Sequence, residues 1–353
     1  MHVPWGWIKQ RPHFLAEELD SKYNVGVYVS KSFRSLDLIT NDTKVNISSV
    51  FKLPLERFWI IRVINKWVVS FLLQYIYKIH GFKYVWITDL RLYPYIENIL
   101  TDKQKLIYDC MDDVVEFKVL QPQYLELEKI ETKLFKKCDL VIFSSAELKK
   151  RKYKKYNISI KKCGLVYNAL DESLIYAKLF DKFDDIFSIY TKQNYTVLTY
   201  IGTVSNWFDF DLIEKSLNDF EDIVYFIIGP IEHNTKILEH DRIIYFGSIE
   251  HKYIKSIIVK SDILIMPFKV NRLIEAVDPV KMYEYIAFGN KIISVYYDEL
   301  KKFSNYINLY KNYDELSKMI YGLKKKKLNN DFIENNTWKS RTKEIIALIK
   351  NIS

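Results

Sequence analysis

The segment Asp278-Pro279-Val280-Lys281-Met282-Tyr283-Glu284-Tyr285-Ile286-Ala287-Phe288-Gly289 gathers the residue types best suited to chemistry. Asp278 suits an N-cap, Pro279 suits the first helical position and Gly289 suits a helix end, so the spacing predicts a helix over 279–288. The N–H groups at a helix start carry partial positive charge and bind anions, phosphate above all. Lys281 falls in the first turn, where a cation opposes the helix dipole unless an anion is also present. Glu284 lies one turn on, on the same side, placed to accept hydrogen bonds from sugar hydroxyls. The competing reading is a capped surface helix whose Lys–Glu pair is worth about 0.2–0.5 kcal/mol.

A second candidate runs Tyr200-Ile201-Gly202-Thr203-Val204-Ser205-Asn206-Trp207-Phe208-Asp209. An apolar run stops at Gly202, which lets a ligand approach the backbone; Thr203, Ser205 and Asn206 offer hydroxyl and amide contacts. Gly229-Pro230 and Phe246-Gly247-Ser248-Ile249 repeat a glycine at the end of an apolar run. With only 9 glycines in 353 residues, three at strand ends point to a binding crevice. Asp112 and Asp113 follow a further run and read either as an acceptor base or as caps of the next helix. Asp209-Phe210-Asp211 matches a metal-binding D-x-D, but Asp209 stands where a helix begins and reads as its cap.

Elements that could position these residues alternate along the chain. Strand patterns fall at 25–30, 84–88, 106–109, 140–144 and 165–167, then at 196–201, 224–228, 243–246, 263–267 and 291–295. Helical patterns fall at 11–21, 58–79, 92–100, 121–137 and 146–155, then at 209–218, 251–260, 279–288 and 313–326. Strand–helix–strand spacing of this kind predicts right-handed crossovers and parallel sheets. The expectation is an α/β chain of two Rossmann-like doubly wound domains. They span 1–170 plus 338–353, and 195–337, with the polar interval 171–194 as linker. A doubly wound domain normally opens on a buried strand. Here the chain starts Met1-His2-Val3-Pro4-Trp5, so the first strand is either very short or the start codon is misplaced.

Composition narrows the classes. Lys and Arg number 53 against 44 Asp and Glu, giving +9, and no G-x-G-x-x-G or G-x-x-x-x-G-K-[ST] occurs, which argues against a dinucleotide enzyme. Three scattered cysteines and six histidines supply neither a disulfide framework nor a zinc site, so no metal is expected. Without a signal-peptide pattern at the start, a reducing cytoplasm is the expected location. The run 58–79 is long enough to span a bilayer, yet Arg62, Lys66, Ser70, Gln74 and Lys78 recur through it. It reads as an amphipathic helix, with burial against its own sheet preferred over membrane contact. Basic runs at 149–162 and 324–327 favour an anionic surface or a polyphosphate substrate; no nucleic-acid motif accompanies them.

Taken in order, Arg11-Pro12-His13-Phe14-Leu15-Ala16, Tyr108-Asp109-Cys110-Met111-Asp112-Asp113, Asn168, the Gly202 loop and Pro279–Gly289 resemble the bacterial GT-B glycosyltransferases. The likeness is to the retaining "group 1" enzymes of capsule, O-antigen and teichuronic-acid synthesis, and it covers essentially the whole chain. It implies two Rossmann-like domains with an interdomain cleft and a C-terminal helix, near 338–352, crossing back to the first. It implies that Glu284 holds the nucleotide ribose, that the helix start (Asp278, Pro279, Val280) with Lys281 and Arg272 holds the diphosphate, and that Phe246–Ile249 holds the base. Trp7, Arg11 and His13, with Asp112 and Asp113, would line the acceptor side. Two departures stand out. The expected first glutamate of a spaced pair is Ala276, and residues 203–211 lack the usual Arg and Lys.

The resemblance therefore implies transfer from a UDP-, GDP- or dTDP-linked sugar to a glycan or lipid-linked glycan acceptor. Transfer would be retaining, without metal or other cofactor, with peripheral contact to an anionic membrane at its cytoplasmic face. A nucleotide-sugar 2-epimerase and a non-catalytic binding module are the competing readings.

Overall fold

A computed structural model describes residues 5, 9–31, 45–55, 58–117, 123–233, 235–288, 291–322 and 330–352. Two compact units form: Met1–Asn168 with Trp338–Ser353, and Ala169–Thr337.

In the first unit α1 (Arg11–Asp20) leads to β1 (Gly26–Lys31) and β2 (Asn46–Phe51), which pair in parallel. There follow α2 (Trp59–His80), β3 (Tyr84–Ile87), α3 (Tyr93–Ile96), β4 (Lys105–Cys110), α4 (Tyr124–Lys137), β5 (Leu140–Phe143), α5 (Ala146–Tyr156) and β6 (Cys163–Leu165). Their strands make a second parallel sheet in the order β3-β4-β5-β6. β5 is apolar and buried at every position, as a central parallel strand covered on both faces must be. Ser145 caps α5, its hydroxyl accepting from Leu148 N–H (3.1 Å). Between the two sheets lies a cavity of about 770 Å³, lined by residues of β1 and β3 and by α1, α2 and α3.

The second unit holds α6 (Glu172–Tyr176), α7 (Asp184–Lys192), β7 (Thr196–Ile201), α8 (Phe210–Asp219), β8 (Ile223–Ile228), β9 (Ile243–Gly247), α9 (Ile254–Lys260), β10 (Ile263–Met266), α10 (Val280–Ala287), β11 (Lys291–Val295), β12 (Asn308–Tyr310), α11 (Tyr313–Gly322) and α12 (Asn330–Asn335). Six parallel strands run in the order β12-β11-β10-β7-β8-β9. The chain builds outward from β7 to β9, then returns to build from β10 to β12. The order therefore reverses between β7 and β10, the place where doubly wound sheets bind ligands at their carboxyl ends. The last helix, α13 (Trp338–Lys350), packs in the first unit: Trp338 stacks on Phe14 at 5.0 Å, and Arg341 donates to the Asn168 carbonyl.

Three expectations change. The interval 171–194 is not a linker but two helices of the second unit, held because Phe187 packs on Phe226 and Phe183 on Phe246 and Tyr253. The helix at 58–79 forms, but it is not covered by its sheet. Only Asn65 and Val69 are buried, while Trp67 is 75% and Phe71 69% exposed. Asn65 fixes it by bonding both the N–H and the carbonyl of Leu53 (2.8 and 3.0 Å). Within the basic run at 149–162, Lys152 is a core residue. The run at 324–327, Gly289 and Trp7 lie outside the described residues.

Candidate functional site

The carboxyl edge of the six-stranded sheet is assembled by loop-to-loop hydrogen bonds. After β7, Val204 N–H donates to the Pro230 carbonyl (2.9 Å), joining the Gly202 loop to the end of β8. Asp209 N–H donates to the Pro267 carbonyl and Lys269 N–H to the Trp207 carbonyl, joining that same loop to the one after β10. Gly229 N–H donates to the Gly247 carbonyl, so the ends of β8 and β9 meet as well. Gly229 has φ +139°, and a Cβ there would stand 2.1 Å from the Gly202 carbonyl oxygen, so the crossing tolerates no side chain. The Gly247 turn has φ +65° and opens where β9 ends.

On this edge α10 places Glu284, a buried residue, beneath Lys281. The Lys281 ammonium donates to Glu284 Oε2 at 2.7 Å, and His251 Nε2 lies 3.7 Å from Glu284 Oε1. Burial alone would push the Glu284 carboxyl up; Lys281 and His251 overcome it and hold the carboxyl below the usual range. His251 Nδ1 in turn lies 3.9 Å from Asp171 Oδ2. Tyr285 locks α10 onto β7, its hydroxyl accepting from Ile201 N–H at 2.8 Å. The arrangement offers an ionised acceptor-only carboxylate, a neighbouring cation and a helix start, which together suit a ligand bearing both hydroxyls and an anionic group.

Gly202, Thr203, Gly229, Phe246, Gly247 and Ile249 all belong to this edge; Asn206 and Arg272 are exposed on its loops. Ser205 is buried and donates to Glu232, and so braces the β7 and β8 loops. The helix starts one residue later than expected, with Pro279 as N-cap and Val280 first. Asp278 is not the cap: its carboxylate accepts from Tyr283 (3.0 Å) and pairs with Lys302 (2.8 Å), a buried strut behind the helix start. Asp209 does cap α8, accepting from Leu212 N–H, and Asp211 pairs with Lys269. Sequence reasoning missed His251 and Asp171. Their signal is weak: a single histidine four residues beyond Gly247, and an acid at the head of a stretch read as linker.

The first unit treats its candidates differently. Arg11 is buried, donating from Nε to Asp109 (3.0 Å) and from NH1 to the Val166 carbonyl (2.9 Å) and Asn168. His13 is buried too, its Nδ1 accepting from Gln10 N–H (3.1 Å) to cap α1. Both are structural, not acceptor contacts: Arg11 ties α1 to the ends of β4 and β6. Asp113 is likewise spoken for. Lys152 donates to Asp113 and to Glu131 at 2.7 Å each, and Glu131 accepts from Tyr156. Despite its burial, these acids hold the Lys152 ammonium above its usual range, so Asp113 is a fixed counterion and not a base. Asp112, beside it, is only partly covered. Burial, and then the charge of Asp89, push its carboxyl up to about 6 against the opposing pull of Arg11. Asp89 closes β3 and pairs with Arg91 (2.6 Å), a neighbour the sequence did not flag.

Known proteins fit this architecture. No family model matches the chain. Sucrose-phosphate synthase from Thermosynechococcus elongatus superposes with a TM-score of 0.69 at 12% identity, over 99% of this chain and 91% of that one. Anabaena Alr3699/HepE in complex with UDP gives 0.62 at 13% identity, over 99% and 95%. The chain has the GT-B glycosyltransferase fold. By sequence this GT-B chain is 24% identical over 212 residues to TuaH of Bacillus subtilis (strain 168), named as a teichuronic acid biosynthesis glycosyltransferase. That match covers 57% of this chain and about half (52%) of TuaH. HepE is also described in complex with UDP-glucose.

Proposed function

We propose that this GT-B chain is a glycosyltransferase that moves a sugar from a nucleotide-sugar to a glycan or lipid-linked glycan in bacterial surface polysaccharide synthesis. One observation carries the reading: a buried carboxylate, Glu284, kept ionised by Lys281 and His251 at the head of α10. Ribose hydroxyls suit that carboxylate, and a diphosphate suits Lys281 with the first amides of α10. As the bond from sugar to diphosphate breaks, negative charge grows on the leaving group. Fixed amides and Lys281 stabilise it in place of a metal ion. Transfer is retaining in this reading. The acceptor hydroxyl attacks on the face the diphosphate leaves, and a phosphate oxygen takes its proton. Asp112 stands on the acceptor side as the one candidate carboxyl there not bound in an ion pair among the described contacts.

The same reading has the enzyme resting on an anionic membrane. α2 is long and apolar enough to cross a bilayer, yet Asn65 and Val69 anchor it to the first unit, which suits a helix lying on the surface. It exposes Trp59, Trp67, Phe71 and Tyr75, and carries Arg62, Lys66 and Lys78 with no acid. The name of TuaH supports a surface-polymer acceptor, and the UDP complexes of HepE make UDP-sugars the first donors to try. Calorimetric titration with UDP-, GDP- and dTDP-sugars, followed by transfer assays, tests the proposal. Micromolar binding of one nucleotide class with transfer is expected. Binding to none, release of a free epimer, or binding without turnover would each overturn it.

A further inference from the structure

Glu284 has two cationic neighbours and uses them unequally. Lys281 donates to its Oε2 at 2.7 Å, whereas His251 Nε2 stands 3.7 Å from its Oε1, beyond hydrogen-bond distance. The other ring nitrogen, Nδ1, faces Asp171 Oδ2 at 3.9 Å. Asp171 is itself held, because its Oδ1 accepts from Ser173 N–H at 3.0 Å at the head of α6. His251 therefore stands between two carboxylates and is bonded to neither. A neutral imidazole carries one N–H and turns a lone pair toward the carboxylate it does not serve; an imidazolium carries two and suits both. Among the described residues the charged groups that face the ring are Asp171 from the head of α6 and Glu284 from α10, with Lys281 beyond. On its own segment Glu250 and Lys252 pair with each other at 2.6 Å. The ring is 35% exposed, so a proton can reach it from solvent.

In a donor complex the single ammonium of Lys281 has two anions to serve, Glu284 and the diphosphate. Resting on the donor reading above, we propose that Lys281 passes from Glu284 to the diphosphate as the donor binds, and that His251 takes up a proton and replaces it. The hydrogen bond from Lys281 Nζ to Glu284 Oε2 opens and one to a phosphate oxygen forms, the ammonium keeping its protons. His251 Nε2 gains a proton from solvent and donates it to Oε1, while Nδ1–H faces Asp171. Lys281 is partly exposed and can turn to a ligand; Glu284 is buried and cannot follow it. Without the replacement, that buried carboxylate would lose the cation bonded to it just as a second anion arrives, a costly arrangement. With it, Glu284 stays ionised and acceptor-only, as ribose hydroxyls require. His251 is thus a positioning residue, acting on the donor through Glu284.

The test is calorimetric titration with UDP-, GDP- and dTDP-glucose at about pH 7.5, in buffers of different ionisation enthalpy. The diphosphate of a nucleotide-sugar is fully ionised there, so any proton taken up goes to the protein. With the nucleotide-sugar that binds, uptake of about 0.3–0.9 of a proton is expected, and affinity is expected to fall about tenfold from about pH 6 to about pH 8.5. His251→Gln keeps an N–H donor but cannot titrate. In it the uptake is expected to vanish and the pH dependence to flatten to within about twofold. Ring-nitrogen NMR signals, assigned by their loss in that variant, are expected to show His251 gaining a second N–H on saturation. Binding without proton uptake would overturn the inference and leave the donor reading standing. Uptake unchanged in His251→Gln would overturn it too, assigning the proton to Glu284. Binding to none of the three would overturn the donor reading and the inference together.

Discussion

Replacing Lys281 with Ala puts the electrostatics of α10 to a quantitative test. In the intact protein the ammonium donates to Glu284 Oε2 at 2.7 Å, while His251 stands farther off at 3.7 Å. Lys281→Ala leaves a buried carboxylate with the weaker partner. A hydrogen bond to a charged group contributes about 1.5–3 kcal/mol, and Lys281 is three-quarters covered, so little of that is lost to solvent screening. At about 2–4 °C per kcal/mol for a unit of this size, melting falls by about 3–12 °C at neutral pH. The pH dependence identifies the cause. Glu284 titrates below its usual range in the folded protein, so the stability it contributes is present above the unfolded carboxyl pKa and is lost as pH falls through the folded one. The difference between wild type and Lys281→Ala must therefore shrink as pH falls through the lowered folded pKa of Glu284, and vanish only where that carboxyl is protonated in both.

The same substitution removes the cation proposed to face the diphosphate. Loss of one transition-state donor of this kind typically lowers turnover about 100- to 1,000-fold. Differential scanning fluorimetry from acid to neutral pH, with calorimetric titration of UDP at neutral pH, reads both consequences. A melting difference that stays constant through the acid limb in which Glu284 becomes protonated would assign the effect to packing and not to charge. UDP affinity within twofold of wild type would remove the phosphate role.

Further expectations follow from the first unit. If Asp112, and not the phosphate oxygen, takes the acceptor's proton, transfer falls as pH drops below about 6, and Asp112→Asn flattens that limb of a pH–rate profile; an unchanged limb would exclude it. Arg11→Met leaves Asp109 as an unpaired buried carboxylate and costs about 3–5 kcal/mol by chemical denaturation at neutral pH. Because burial raises the Asp109 carboxyl above its usual range, that loss should ease on acidification, when the carboxyl can be neutral; a pH-independent loss would contradict the pairing. Trp67→Glu with Phe71→Glu, both on the exposed face of α2, should lower binding to anionic vesicles at least about tenfold while melting stays unchanged; unaltered co-sedimentation would detach α2 from the membrane.

What the sequence disclosed, and what it concealed, follows the range of the interactions involved. The head of α10 was readable because Pro279, Lys281 and Glu284 act within one helical turn, and capping preferences are local. The glycine turns at 229 and 247 were readable for the same reason. Asp113 was misread because its partner, Lys152, which it shares with Glu131, lies 39 residues away, and no local pattern distinguishes a buried counterion from a base. Arg11 was misread in the same way, since its acceptors lie about 100 and 155 residues on. For α2 the periodicity disclosed a helix but not what would cover it. An apolar face looks alike whether a sheet, a bilayer or nothing lies against it.

The two units differ in how their strands are joined. In the second unit the strands form one six-stranded sheet, and its edge loops are cross-braced by backbone hydrogen bonds. In the first, the described strands fall into two smaller parallel sheets, β1 with β2 and β3 to β6. The proposed donor binding does not depend on that difference, because Glu284, Lys281 and His251 all belong to the second unit. Loss of transfer with retained nucleotide binding would therefore place the defect in the first unit, and loss of both would place it at α10.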